Sequence, residues 1–384
     1  MDVMLTEQNK RYQGLAREVA EQVARPVAAE MDRTGEYPWQ VLAALKAAGL
    51  TGIWIPEEYG GRGGTILDLC LVVEELSRVD GGVGVSYAVN ALGSLPILLG
   101  GTEAQRRAYL PEVAAGDKLI AFGLSEPDAG SDAVSLKTTA RRDGDQYVLN
   151  GTKKWNTNGG VSHYYTIFAK TDPEKGGRGI SSILVEKGTP GFTIGKREDL
   201  LGIRCVPVHE LHFNDCRVSV GNLVGGKEGL GFSHAMMTLD RGRPGVAAQA
   251  VGLAQGALEL ALAYTTERRQ FGQEIAGFQG VQFMLADMAA RVEAARCLVY
   301  AAARAIDAGV RNVSPLAAKA KLFATDTAMQ VTTDAVQLFG GYGYCRDYPV
   351  EKFFRDAKIT QIYEGTNQIQ RIVIARSLMK GMNS

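Results

Sequence analysis

The chain is poor in the side chains that hold metals or covalent staples. Its five cysteines, Cys70, Cys205, Cys216, Cys297 and Cys345, are scattered over 384 residues, and its four histidines form no cluster. No CxxC, HxxxH or HExxH spacing occurs, which excludes a recognisable zinc site and points to a reducing compartment. Charge of one sign is missing as well: 42 lysines and arginines balance 42 acids, so no global field draws the chain to nucleic acid or an acidic membrane. The opening MDVMLTEQNK carries acids where a secretion leader needs a basic region and an apolar run, and cytoplasmic localisation is the expectation. The apolar stretches around 246–263 and 286–305 are interrupted by charged or polar residues and read as core helices, not membrane spans. Also absent is the GxGxxG strand–turn–helix fingerprint of dinucleotide folds.

What is present is length and a change of pattern. A chain of 384 residues exceeds what one core usually organises, so two or three substructures are expected. Residues 1–118 repeat apolar side chains every three or four positions, broken by Pro26, Pro38 and the YGGRGG tract at Tyr59–Gly64. They read as a helical domain. Within it, GGVGVSYAVNALGSLPILLG is small and apolar, suited to close packing against another helix. Residues 119–224 change character: DG and NG turns separate short β-prone segments such as YYTIFAK, SSILVEK and HELHFNDCRV. That is a β-domain. From residue 225 to 384 alanine-rich helical patterns return and suggest a four-helix bundle, which makes the fold class α+β.

One carboxylate stands out in QIYEGTNQIQRIVIARSLM. Glu364 lies between Tyr363 and the flexible Gly365, where a polar turn enters an apolar helix. Thr366 is placed to cap that helix, and Ile369, Ile372, Val373 and Leu378 give it a helical stripe. Read alone, Glu364 is either a base held at a helix entrance or an acid favoured there by the helix dipole.

The segments FGLSEPDAGSD, KKWNTNGG, LDRGRP, ERRQFG, DAVQLFGGYGY and IYEGTNQIQR, in that order, span the chain. In this order they resemble the successive signatures of the acyl-CoA dehydrogenase family. The resemblance implies a tightly held FAD and oxidation of an acyl-CoA thioester to its trans-2-enoyl-CoA. A carboxylate takes the Cα proton and hydride passes from Cβ to flavin N5. Glu364 matches the family base, with its backbone N–H and a flavin ribityl hydroxyl stabilising enolate charge on the thioester oxygen. Exclusion of water should raise the proton affinity of Glu364. Relatives with the base on the helix after the β-domain place it where this chain has Gly242, which favours the short- or medium-chain pattern.

The same resemblance assigns the contacts. Phe122, Leu124 and Ser125 match the loop that meets the isoalloxazine, and Trp155 and Thr157 match its second wall, with Asn156 in place of the commoner aliphatic residue. Arg268 and Phe271 look like flavin-phosphate and adenine contacts, followed by Phe278 and Gln279. Gln337, Gly340 and Gly341 resemble a loop reaching the cofactor from a neighbouring subunit, and Thr366 and Gln368 resemble further FAD contacts. Ser131, Asp240 and Arg243 match substrate positions, and Gly365 leaves space beside the base. Read locally, Trp155 could instead anchor the core and Arg243 could merely pair with Asp240 on a helix surface. Gly159 and Gly160 read as turn residues.

The stretch 79–105 should line the acyl cavity, and it contains no Arg, Lys or His to meet a distal carboxylate before Gln105. Val83, Val85, Val89, Leu92 and Leu95 suit an uncharged tail, since each buried methylene contributes about 0.8 kcal/mol. The resemblance implies electron-transfer flavoprotein as acceptor and a homotetramer or homodimer. An acyl-CoA oxidase, a specialised dehydrogenase for dicarboxylic substrates, and a noncatalytic flavin- or CoA-binding protein stay open.

Overall fold

A computed structural model describes residues 5–381. Six helices come first: α1 (Glu7–Val19), α2 (Ala28–Thr34), α3 (Trp39–Ala47), α4 (Ile66–Ser77), α5 (Gly81–Gly100) and α6 (Glu103–Ala114). Three of their starts are written by threonine. Thr6, Thr65 and Thr102 each accept the N–H three residues on, and Asn9, Asp68 and Gln105 at those positions accept the threonine N–H in return. Asp80 caps α5 by accepting from the N–H groups of Gly82 and Val83 at 2.8 and 3.0 Å.

The small-residue run of α5 packs as its composition predicted. A Cβ at Gly93 would lie 2.9 Å from the Ile120 carbonyl, and one at Gly84 would collide with the Ser77 hydroxyl. These glycines bring α5 against α4 and the first strand of the sheet.

The β-strands run β1 (Ile120–Gly123), β2 (Thr139–Asp143), β3 (Gln146–Thr157), β4 (Tyr164–Lys170), β5 (Ile180–Glu186), β6 (Phe192–Arg197) and β7 (Val208–Ser219). They form one sheet in the order β1-β4-β2-β3-β7-β6, with β5 also paired to β4. β1 and β2 run parallel to β4, and the remaining pairs are antiparallel. Buried residues Tyr165, Ile167, Leu149, Leu211 and Phe213 fill one face.

Five helices follow among the described residues: α7 (Gly231–Glu267), α8 (Gln279–Asp307), α9 (Ser314–Phe339), α10 (Val350–Thr360) and α11 (Asn367–Gly381). The pattern had suggested four. The extra one is α10, whose buried Val350, Phe353 and Ala357 make a short stripe after Pro349. Helices α5 and α7 are long and apolar enough to cross a membrane, yet both are mostly buried within the protein, as α8 is along its inner face.

Buried polar contacts tie the three segments together. Lys352 of α10 lies 3.0 Å from the Asp80 carboxylate and 2.5 Å from Asp356, which accepts from the Ile203 N–H ahead of β7. Each ion there has a partner, the condition under which burying charge is tolerated.

Candidate active site

Glu364 lies in the link between α10 and α11, and it is held out of helical geometry. Its φ is 52° and that of Gly365 is 94°. The left-handed region costs an L-residue about 1–2 kcal/mol. Of the six described non-glycine residues with positive φ, three are Trp155, Phe271 and Glu364, all nominated from sequence. Strain of this kind persists only where the surroundings impose it.

Here the surroundings are explicit. The Tyr363 hydroxyl donates to the Gln249 side chain on α7, which in turn donates to the Gly81 carbonyl on α5 at 2.9 Å. Lys321 Nζ and Gln370 Nε2 both donate to the Gly365 carbonyl at 2.9 Å. Thr366 accepts from the Ile369 N–H at 3.3 Å and caps α11 as expected. The carbonyl side of the turn is thus engaged, while among the described residues no acceptor takes the Glu364 N–H.

The carboxyl group points at α7 and α5. Glu364 Oε2 is buried without a hydrogen-bond partner. Across from it is Gly242, where a Cβ would be driven into that oxygen and would lie 3.1 Å from Leu92 Cδ1. The alternative base position and Glu364 therefore converge on one point in space. Burial raises the Glu364 pKa to about 7, against the lowering pull of Lys321 and Arg243. Arg243 is buried, not on a helix surface, and donates to Asp240 at 2.6 Å while its Nε has no partner. Pro244 follows it and has no N–H to offer the Asp240 carbonyl, so α7 is loosened at this residue.

A second group forms at the edge of the sheet. Phe122 packs 4.8 Å from Phe168, and Lys153 Nζ donates to the Leu124 carbonyl at 3.1 Å and to buried Glu126 at 2.7 Å. Burial lowers the Lys153 pKa to about 8, with Glu126 opposing the shift. The Lys154 N–H donates to the Ser125 carbonyl at 2.9 Å, stitching this loop to the end of β3. Trp155 is no core anchor: it is 55% exposed, with Lys154 Nζ 4.8 Å above its ring. Asn156 faces inward, donates to the His209 carbonyl at 3.1 Å and leaves its Oδ1 unpartnered. Thr157 is half-buried and pairs with Val208. The turn freedom assigned to Gly159 and Gly160 belongs instead to Asn158, at φ 58°, because the two glycines serve close packing on His209.

A third group lies among the C-terminal helices. Arg268, Gln337, Gly340 and Gly341 line one cleft of about 480 Å³. Arg268 stacks 5.4 Å over the Tyr342 ring. No residue of the β-domain lines this cleft. ERRQFG leaves α7 at Glu267 and makes a hairpin of β8 (Arg269–Gln270) and β9 (Gln273–Glu274). Its turn residues, Phe271 and Gly272, are both left-handed, at φ 52° and 81°. Phe271 is 94% exposed and stands edge-on to Phe278 at 6.1 Å. Gln279 opens α8, and Gln368 is exposed in the first turn of α11. Ser131 is exposed in the loop after β1.

Three residues escaped the sequence reading. Arg241 and Arg311 share a cleft of about 300 Å³ with Asp240 and Ser314, and Lys321 lies fully buried behind the Glu364 turn. The arginines had a signal, one inside LDRGRP and one in the AGVRN turn between long helices. Lys321 had none, since AAKAKL does not show which lysine faces inward.

Comparison with known proteins agrees with this layout. Models of the acyl-CoA dehydrogenase N-terminal, middle and C-terminal domains match residues 6–117, 121–216 and 229–379. A probable acyl-CoA dehydrogenase of Mycobacterium tuberculosis is 50% identical over 98% of this chain and 96% of its own. Butyryl-CoA dehydrogenase from Megasphaera elsdenii superposes with a TM-score of 0.95 at 46% identity, over 98% of this chain and 99% of that one. A structure described as the electron transferring flavoprotein of Acidaminococcus fermentans contains a chain 51% identical, TM-score 0.95, covering 97% and 98%. The chain belongs to the acyl-CoA dehydrogenase family. It is an FAD-dependent oxidoreductase of acyl-CoA chemistry, of the kind that serves fatty-acid β-oxidation.

The residues present fit that cofactor. The exposed, left-handed Trp155 offers an aromatic face for a planar ring. In the C-terminal cleft, the Arg268 guanidinium supplies directed donors for phosphate, and a Cβ at Gly340 or Gly341 would meet nothing within 4 Å.

Proposed function

We infer that the protein oxidises a short- to medium-chain, or branched or cyclic, acyl-CoA to the 2-enoyl-CoA, with Glu364 as the base that removes the Cα proton. The observation that carries this reading is the unpartnered, buried Glu364 Oε2 facing the bare Cα of Gly242. A carboxylate there has no competing donor, and a proton affinity near neutrality suits it to take a weakly acidic proton and later release it. The unused Glu364 N–H is available to the thioester oxygen. FAD, when bound, supplies the acceptor for the hydride leaving Cβ. The chain's own residues orient the substrate: Asp240 and Arg243 beside the base, and Arg241 and Arg311 in the adjoining cleft, where cations suit the phosphates of CoA.

The acyl tail runs along α5. Val83, Val85, Val89 and Leu95 are buried in packing, so the contact narrows to partly exposed Ala88 and Leu92, one helical turn apart. Leu92 next to the base favours a short, uncharged tail. The likeness to butyryl-CoA dehydrogenase supports the same choice. We assign electron-transfer flavoprotein as acceptor, cytoplasmic location, and a homodimer or homotetramer in which FAD spans two chains.

Anaerobic mixing of the FAD-loaded protein with a panel of acyl-CoAs, following flavin bleaching, tests the substrate. Butyryl-CoA should reduce it fastest and glutaryl-CoA poorly. Glu364→Gln should retain FAD and lose reduction by about 10²–10⁴-fold. Near-normal reduction by that variant would remove Glu364 as base, and rapid peroxide formation in air would favour an oxidase.

A further inference from the structure

Behind the strained turn lies a group that the reaction outlined above leaves without a task. Lys321 of α9 is fully buried, and among the described residues it has no ion pair at contact distance. Its Nζ donates to the Gly365 carbonyl and to Asn367 Oδ1, each at 2.9 Å. Asn367 is in turn fixed by donating to Thr325 at 2.9 Å and Asp326 at 2.7 Å. A hydrocarbon side chain would fill this space at lower desolvation cost, so the ammonium needs a reason to be there.

We propose that Lys321 is a positioning residue for the base: from α9 it grips the Gly365 carbonyl, holds the Glu364–Gly365 turn in its left-handed form, and places a positive charge beside the Glu364 carboxyl. The proposal rests on Glu364 being the base. Two effects follow from one side chain. Geometrically, Lys321 and Gln370 converge on one carbonyl, so the Glu364 side chain leaves the turn in one direction, towards Gly242. Electrostatically, Lys321 and Arg243 oppose the upward push of burial on Glu364. Burial brings the Lys321 pKa down to about 7, with Glu364 and Asp326 pulling it up and Arg243 pushing it further down. The titratable and charged groups around the turn are therefore Tyr363 beside Glu364, Asp240 and Arg243 from α7, Lys321 and Asp326 from α9, and Arg371 of α11, which pairs with Asp326 at 3.1 Å. Arg243 is already paired with Asp240, which leaves Lys321 as the cation whose nearest acceptors are the turn itself.

Lys321→Met and Lys321→Gln separate the two effects, because glutamine keeps a donor without the charge. The readouts are FAD content, the limiting rate of flavin reduction against pH, and infrared titration of the Glu364 carboxyl, identified by its loss in Glu364→Gln. Both variants should retain FAD and a KM within about threefold of the original. Lys321→Met should lose about 10- to 100-fold in limiting rate, the size expected when a reacting group is misplaced by about an ångström. In both, the rising limb of the rate and the carboxyl titration should move to higher pH, since a cation favouring the ionised base has gone. Glutamine should recover part of the rate well above that limb. Should Lys321→Met not fold, the glutamine variant alone decides through the carboxyl titration. An unmoved titration overturns the proposal, and so does a rate loss in both variants without displacement of the limb. If Glu364→Gln itself reduces flavin normally, the base assignment fails instead, which is a separate result.

Discussion

At the scale of single residues, Glu364 combines two local disadvantages. Its backbone occupies a region that costs an L-residue, and its carboxyl oxygen Oε2 is buried without a partner. The second feature makes stability depend on pH. The folded-state pKa, about 7, lies above the ordinary 4.5, so folding favours the protonated carboxyl. That contribution is complete below the unfolded value and is lost as pH rises through the folded one. Glutamine cannot ionise and escapes the loss. Glu364→Gln should therefore match the original protein in unfolding free energy near pH 4 and exceed it by pH 8, by an amount on the order of 3 kcal/mol, read from denaturant melts at each pH. A gap that is constant across this range would mean that the carboxyl titrates in a solvated environment.

At the scale of elements, the long periodic segments were legible and the short strained ones were not. Helices α5, α7, α8 and α9 follow from apolar spacing, and the sheet from its DG and NG turns. The α10 helix was missed because a stripe of three buried residues is brief, and the ERRQFG hairpin because its turn breaks the usual preference. A two-residue turn with both φ positive favours Asn-Gly or Asp-Gly, and here it is Phe-Gly. Of the candidate site, Glu364, Trp155 and Arg268 stand in motifs visible in the sequence, whereas Lys321 was hidden because burial is decided by packing from another element. The hairpin has a measurable consequence. Phe271 is nearly fully exposed in a conformation that glycine adopts freely. Phe271→Gly should leave the melting temperature of the FAD-free protein equal or higher, by up to about 1 kcal/mol. On the reading that the ring contacts FAD, the variant should also weaken FAD retention on gel filtration. Full FAD occupancy in that variant would show that the ring does not hold FAD.

At the scale of the whole molecule, the groups nominated for FAD occupy separate regions of one chain. Phe122, Leu124 and Trp155 lie at the sheet, while Arg268, Gln337, Gly340 and Gly341 share a cleft to which the β-domain contributes nothing. The buried Asp356 carboxylate accepts from the Ile203 N–H and so ties the β-domain to α10, a contact that a hinge motion bringing the two regions together would have to break. The alternative is that one chain holds the ring end of FAD and a second copy holds its phosphate and adenine end. Cofactor binding and association are then linked, each strengthening the other. Serial dilution of the loaded protein should release FAD over the same concentration range in which native mass falls to that of one chain. Arg268→Ala should move both transitions to higher protein concentration, since it removes the phosphate donor and with it part of what joins the two copies. The Glu364 titration should be untouched in that variant's assembled form, because Arg268 is not among the charges that act on it. FAD kept by a single chain at full dilution would overturn the shared site.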